Sequence, residues 1–253
     1  MEISRIRVYA ERGTVGRERS RAFALRLTSD AGIEGWGNGF VGPGLSKVVA
    51  AIAPRIFGVD PRATTRLDLI LRDVGGEASA VALAVETACW DLASKAAGMP
   101  LSLFWGGDAP DEGAPEPSRA EALAADSTLS PLARLAGQLM ASNAGTAPIA
   151  LHLSEFGSFS RLRLACDLCA AWHRGVVLVQ DVPGDLIALG LDHLAASKRP
   201  GMEIAVQREN APHTLRRLAS QSLYVTEGPG LGVLLDETEM GEAILSLQAA
   251  LRG

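Results

Sequence analysis

Ile3 to Tyr9 and Ala22 to Leu27 each place apolar and β-favouring residues in a short run and read as strands. Ser29-Asp-Ala-Gly32, just ahead of Ile33, has the chemistry of a tight turn. The chain therefore opens, by its pattern, as an antiparallel meander. From Leu45 to Phe57 and from Thr64 to Arg72 the period changes to that of a helix, with Gly58-Val-Asp-Pro61 breaking the run between them. Ala78 to Ala97 is rich in alanine, holds no glycine or proline, and stops at Gly98-Met-Pro100, which predicts a long helix.

After Gly106-Gly107 the character of the chain shifts. Asp108 to Ser118 carries three prolines, four acidic residues and one glycine, a linker composition. Beyond it, short apolar runs alternate with helical patterns: Ile149 to Leu153, a helix over Ser160 to Trp172, Val176 to Val179, and a helix over Leu186 to Ser197. That alternation predicts parallel βα units. Met202 to Val206 reads as a third strand and Pro212 to Ala219 as a helix; a glycine-rich stretch over Glu227 to Gly232 and a terminal helix over Glu237 to Leu251 close the chain.

The composition fits this picture and narrows the partners. With 253 residues, 47% of them hydrophobic, the chain can build a sizeable core. A formal charge of -5, spread over interspersed acidic and basic residues, argues against a nucleic-acid surface, and no basic run suggests an anionic membrane. No window reaches the about 18 uninterrupted apolar residues of a membrane span. The first residues lack the apolar stretch of a signal peptide, and Cys89, Cys166 and Cys169 fall in apolar helical patterns, so the expectation is a cytoplasmic protein with free thiols.

Three stretches, in order, resemble the mandelate racemase and muconate lactonizing branch of the enolase superfamily. They are Asp30-Ala-Gly-Ile-Glu-Gly-Trp-Gly37, followed here by Asn38 where an acidic residue is common; Ala84 to Pro100 with Leu103 to Gly107; and Gly228-Pro-Gly-Leu-Gly-Val-Leu-Leu-Asp-Glu237. A fourth, Gly157 to Cys169 with Val179 to Asp185 and Asp192-His-Leu-Ala-Ala-Ser197, is similar to the sixth and seventh βα units of that family's barrel, nearest to the subgroup acting on hydroxyproline and betaine-like amino acids. An alternative register makes Ile149 to Leu153 the second strand and Val176 to Asp181 the third. The resemblance implies an α/β chain: an α+β capping domain over 1–107, a linker and helical segment over 108–147, an incomplete (β/α) barrel over 148–228, and a C-terminal segment over 229–253 packing on the capping domain.

A complete (β/α)₈ barrel needs about 200 to 250 residues, more than follow the capping segment. On the preferred register the second to fifth units are missing, and in the family those units carry a Lys-x-Lys base motif and three Mg²⁺ carboxylates. The chemistry they support removes a weakly acidic proton alpha to a carboxylate, which needs a cation to stabilise the enolate and a base to take the proton. Here the lysines are Lys47, Lys95 and Lys198, with no Lys-x-Lys. Strand-end carboxylates are Glu155, Asp181, Glu209 and Glu227, whose spacing does not reproduce three successive ligand-bearing strands. No cofactor is therefore expected, although the family uses Mg²⁺, and the protein reads as a catalytically degenerate member.

Two residues stay open as catalytic candidates. His152 falls where the resemblance places a catalytic lysine, and a neutral imidazole can serve as a base, although the favoured reading is a histidine left in an unselected position. Asp181 matches an acidic position after a barrel strand, or caps the following turn. If active, the protein is expected to be an isomerase (racemase, epimerase or cycloisomerase) or a dehydratase. Cys166-Asp-Leu-Cys169 has redox or zinc spacing but no second ligand pair, so packing is expected. Gly228 to Gly232 follows no dinucleotide-binding unit and is not read as a phosphate loop. His173, His193 and His213 are scattered and carry no pattern. A partial parallel sheet leaves strand edges to cover, so a homo-oligomer is expected, with a small carboxylate as ligand and neither nucleic acid nor membrane as partner.

Overall fold

The computed structural model describes residues 1–10, 21–42, 44–72, 78–107, 120–123, 128–141, 147–197, 202–209, 228–233, 235 and 242–250. They form two compact units, one from Met1–Leu101, Pro183–Leu189 and the described part of Pro212–Gly253, the other from Ser102–Val182 and Gly190–Ala211. The 108–118 linker lies outside the described residues.

In the first unit, β1 (Ile3–Ala10), β2 (Arg21–Ser29) and β3 (Glu34–Val41) form the expected antiparallel meander, turning at Gly32 with φ 77°. Two amphipathic helices follow, α1 (Leu45–Ile56) and α2 (Thr64–Arg72), and then the 19-residue α3 (Ala78–Ala96). Its central residues Val81 to Leu92 are buried on every side, as its alanine-rich sequence allows. Glycines at two-residue spacing explain how this helix reaches the sheet. A Cβ at Gly35 would lie 2.1 Å from the Ala88 carbonyl oxygen, and one at Gly37 would lie 1.9 Å from that of Ala84. The Gly35-Trp-Gly37 stripe thus exists so that strand and helix backbones can touch.

In the second unit, α4 (Leu101–Phe104) straddles the boundary and α5 (Pro131–Ala141) precedes β4 (Ile149–His152), α6 (Leu153–Phe156) and α7 (Phe159–Ala171). Ser158 caps α7 by accepting the Arg161 N–H at 3.1 Å. Then come β5 (Val176–Gln180), α8 (Asp185–Ala196), of which the residues up to Leu189 belong to the first unit, and β6 (Ile204–Arg208). The three strands are parallel, in the order β4-β5-β6, with helices between them: an incomplete (β/α) barrel among the described residues. The double glycine sits against the end of α8. Gly106 has φ 89°, and a Cβ on Gly107 would lie 2.2 Å from the Ser197 Cα. Trp105 packs on Phe159 at 6.0 Å between ring centroids, with the Arg163 guanidinium 5.2 Å from the Trp105 ring.

The terminal helix over 237–251 is corrected. Residues Leu245–Gln248 form β7, paired antiparallel with β1 at the edge of a β3-β2-β1-β7 sheet. Leu245 and Leu247 are half-buried while Ser246 and Gln248 are exposed, a period of two that edge pairing with β1 favours over a helix. Residues 236–241 and the expected helix over 212–219 lie outside the described residues.

Candidate functional site

Strand parity decides which side chains share a face of the parallel sheet. Ile149 and Leu151 are fully buried on one face, and Ala150 packs on the other against Val177, Val179 and Ala205. His152 stands beside Val179 in register, so His152 and Asp181, one residue past β5, belong to this second face at the C-terminal ends of their strands. Barrels carry their chemistry at that end.

The two candidates meet there. Asp181 Oδ2 lies 3.3 Å from His152 Nδ1, with the aspartate side chain 16% and the histidine side chain 33% exposed. Ser154, in α6, donates twice to the same carboxylate: its backbone N–H reaches Oδ1 at 2.9 Å, and its hydroxyl makes a short bond to Oδ2. Asp181 therefore joins the end of β5 to the segment after β4 rather than capping its own turn. Beside this cluster, Arg134 of α5 pairs with Glu155 at 3.2 Å. Past β6, the Glu209 N–H extends the strand pairing to the Gln180 carbonyl at 3.1 Å.

The order of the three side chains fixes what they can do. A serine nucleophile needs imidazole between it and the carboxylate. Here the carboxylate stands between serine and imidazole, and Ser154 donates to Asp181, so the three do not form that relay.

The Mg²⁺ implied by the family needs several oxygen ligands converging on one point. Asp181 already accepts two hydrogen bonds and faces His152, Glu155 is paired with Arg134, and Glu209 is exposed. Among the described residues no three histidine, cysteine, aspartate or glutamate side chains gather to hold a metal ion. The described residues do not fit the cation. Glu227 and Lys198 lie outside the described residues, Lys47 is exposed on α1, and Lys95 pairs with Asp91 at 2.7 Å.

Cys166 and Cys169 are fully buried on α7, and burial pushes the Cys169 thiol up to about 11, which makes it a poor nucleophile. His193 is buried on α8 and accepts the Ser102 N–H at Nδ1; His173 is exposed, and His213 lies outside the described residues. The glycine-rich segment serves the first unit. Asp91, buried in α3, accepts the Leu231 N–H at 2.8 Å and the Trp36 N–H at 2.9 Å, while a Cβ at Gly230 would lie 2.2 Å from the Asp91 carboxylate. Asn38 is fully buried in the same unit, and its Oδ1 accepts the Leu186 N–H at 3.1 Å, a role a neutral amide fills without burying a charge.

Sequence reasoning singled out His152 and Asp181, which the structure brings together, and did not single out Ser154 or Arg134. The only local signal for Ser154 is a hydroxyl two residues beyond a histidine at the end of an apolar run.

Comparison with known proteins agrees with the architecture. Residues 6–106 match the family "Mandelate racemase / muconate lactonizing enzyme, N-terminal domain". No curated protein matches. Among solved structures, a mandelate racemase/muconate lactonizing enzyme from Roseovarius nubinhibens ISM is similar at 18% identity and TM-score 0.65, covering 98% of this chain and 100% of its own. A member of the enolase superfamily from the same organism, complexed with magnesium, gives 19% and 0.64 with the same coverage. An isomerase from Streptomyces coelicolor A3(2) gives 15% and 0.64, covering 94% of this chain and 98% of its own. Residues 6–106 thus resemble the N-terminal domain of mandelate racemase and muconate lactonizing enzymes, and the chain along its length shares the fold of these solved structures.

Proposed function

We propose that this protein is a catalytically degenerate enolase-superfamily member that has given up metal-assisted proton abstraction and uses its strand-end face to bind a small carboxylate without a metal cofactor. One observation carries the reading: the strand-end carboxylate best placed to serve a cation, Asp181, is held by Ser154 and faces His152. Two hydrogen bonds and the imidazole alongside take up most of that carboxylate's acceptor capacity. The strand edges of the barrel remnant support a homo-oligomer that covers them, and the same reading places the protein in the cytoplasm. The test is exchange of the alpha proton of small carboxylates and amino-acid derivatives in D₂O with added Mg²⁺. No exchange above the protein-free rate is expected, and Mg²⁺-dependent exchange, racemisation, cycloisomerisation or dehydration would overturn the proposal.

A second reading is favoured by the contact between His152 and Asp181. A carboxylate beside Nδ1 orients an imidazole for general-base work, so a racemase, epimerase, cycloisomerase or dehydratase could be rebuilt around His152. On this reading His152→Ala abolishes a measurable turnover while the protein stays folded, and unchanged turnover dismisses it.

A further inference from the structure

Of the three asparagines in the sequence, Asn38, Asn143 and Asn210, only Asn38 precedes a glycine. In a flexible chain such a pair modifies itself. The Gly39 backbone nitrogen attacks the Asn38 side-chain carbonyl carbon, the side-chain nitrogen leaves as ammonia, and a five-membered succinimide remains. Water then opens the ring at either carbonyl and leaves aspartate or isoaspartate. Glycine favours the attack because no Cβ crowds its nitrogen. The folded chain holds the pair out of that geometry. Asn38 and Gly39 lie within β3, in register with Ala24 and Phe23 of β2, and ring closure requires Asn38 to rotate about its Cα–C bond out of the extended conformation of a paired strand. The Asn38 side chain is fully buried, and its Oδ1 accepts the Leu186 N–H at 3.1 Å in the first turn of α8. The carbon that must be attacked belongs to an amide pinned to that helix end.

We infer that Asn38-Gly39 is a latent self-modification site, which the native fold holds shut and the opening of β3 releases. Its two products have different fates. Aspartate keeps the main chain at its length and keeps an oxygen for the Leu186 N–H. Isoaspartate routes the main chain through the side-chain carbon and lengthens β3 by a methylene, so Gly39, Phe40 and Val41 no longer meet Phe23, Ala22 and Arg21. Register decides which side chains of a strand face the core, so this branch spoils the pairing of β3 with β2. An unfolding event that lasts long enough for ring closure is then irreversible for the chains that take it. The site lies in the first unit and is independent of any ligand at the strand-end face.

The experiment holds the full-length chain in buffer and in unfolding urea at the same mildly alkaline pH and temperature, and follows the peptide containing residue 38 by digestion and mass spectrometry. Conversion replaces NH₂ by OH and shifts the mass of that peptide. In urea the Asn38 peptide is expected to give way to two products of equal mass that separate on chromatography, while in buffer it converts far more slowly. Gly39→Ala, whose Cβ would lie 3.3 Å from the Phe23 ring in the folded chain, is read in urea, where folding does not matter, and is expected to leave most of Asn38 intact over the same period. After dilution from urea, isoaspartate is expected only in the fraction that fails to refold. Conversion in buffer as fast as in urea, an Asn38 that survives in urea as well as it does in Gly39→Ala, or isoaspartate in the refolded fraction would each overturn the inference.

Discussion

Replacing Asp91 by asparagine tests how the first unit is held together. The carboxylate is 1% exposed and accepts three donors: the Trp36 N–H from β3 at 2.9 Å, the Leu231 N–H from the glycine-rich segment at 2.8 Å, and Lys95 Nζ from the next turn of α3 at 2.7 Å. An asparagine keeps one carbonyl oxygen, so its NH₂ must face one of the two backbone donors, and Lys95 loses its counter-charge. One unsatisfied buried N–H costs about 1 to 3 kcal/mol. The Lys95 side chain, 18% exposed, regains part of its solvation, which keeps the remaining cost modest. The expected loss is therefore about 2 to 3 kcal/mol, a fall of roughly 1 M in urea midpoint at a slope of about 2 kcal/mol/M. Trp36 and Trp90, both buried in this unit, report the transition by fluorescence. Adding Lys95→Met to Asp91→Asn should recover part of the loss, since no charge is then left without its partner. A midpoint for Asp91→Asn within about 0.3 M of the parent would refute the reasoning.

Two further outcomes follow from the same geometry. Gly37→Ala puts a Cβ 1.9 Å from the Ala84 carbonyl oxygen, where backbone meets backbone and neither can yield cheaply; a loss of about 3 kcal/mol or an insoluble product is expected, and a parent-like melting temperature would contradict the close approach of β3 and α3. Burial pushes the Asp192 carboxyl above the usual carboxylate range, against the pull of Arg208. Because its folded pKa is the higher, the folded chain keeps this proton when the unfolded chain has lost it. Its contribution to stability is complete below the ordinary carboxylate pKa and disappears as pH rises through the raised value. Asp192→Asn should flatten the stability profile in that window, and a profile of unchanged slope in urea titrations would argue against it.

Much of the fold was legible because its signals are local. The meander, α1 to α3 and the alternating strands and helices after Pro148 each carry their own period or stop signal, and their bounds differ from the sequence reading by a residue or two. The terminal segment was misread because Leu245 and Leu247 have a partner, β1, more than two hundred residues away, and a short apolar run does not announce its partner. The candidate site was legible only in part. His152 and Asp181 stand at strand ends, which sequence can place, but Ser154 acts through a contact across 27 positions, and a serine beside a leucine carries no period. The Gly35-Trp-Gly37 stripe was visible as a motif, and its reason, the backbone of α3, was not.

The central claim, that the strand-end face has exchanged a metal site for the Ser154, Asp181 and His152 cluster, is tested most directly by equilibrium binding of Mg²⁺ and Mn²⁺ to the purified protein by titration calorimetry. The account predicts no saturable binding up to millimolar metal, in the parent and in Asp181→Asn alike. Stoichiometric binding at micromolar metal, lost in Asp181→Asn, would contradict it and make this carboxylate a metal ligand.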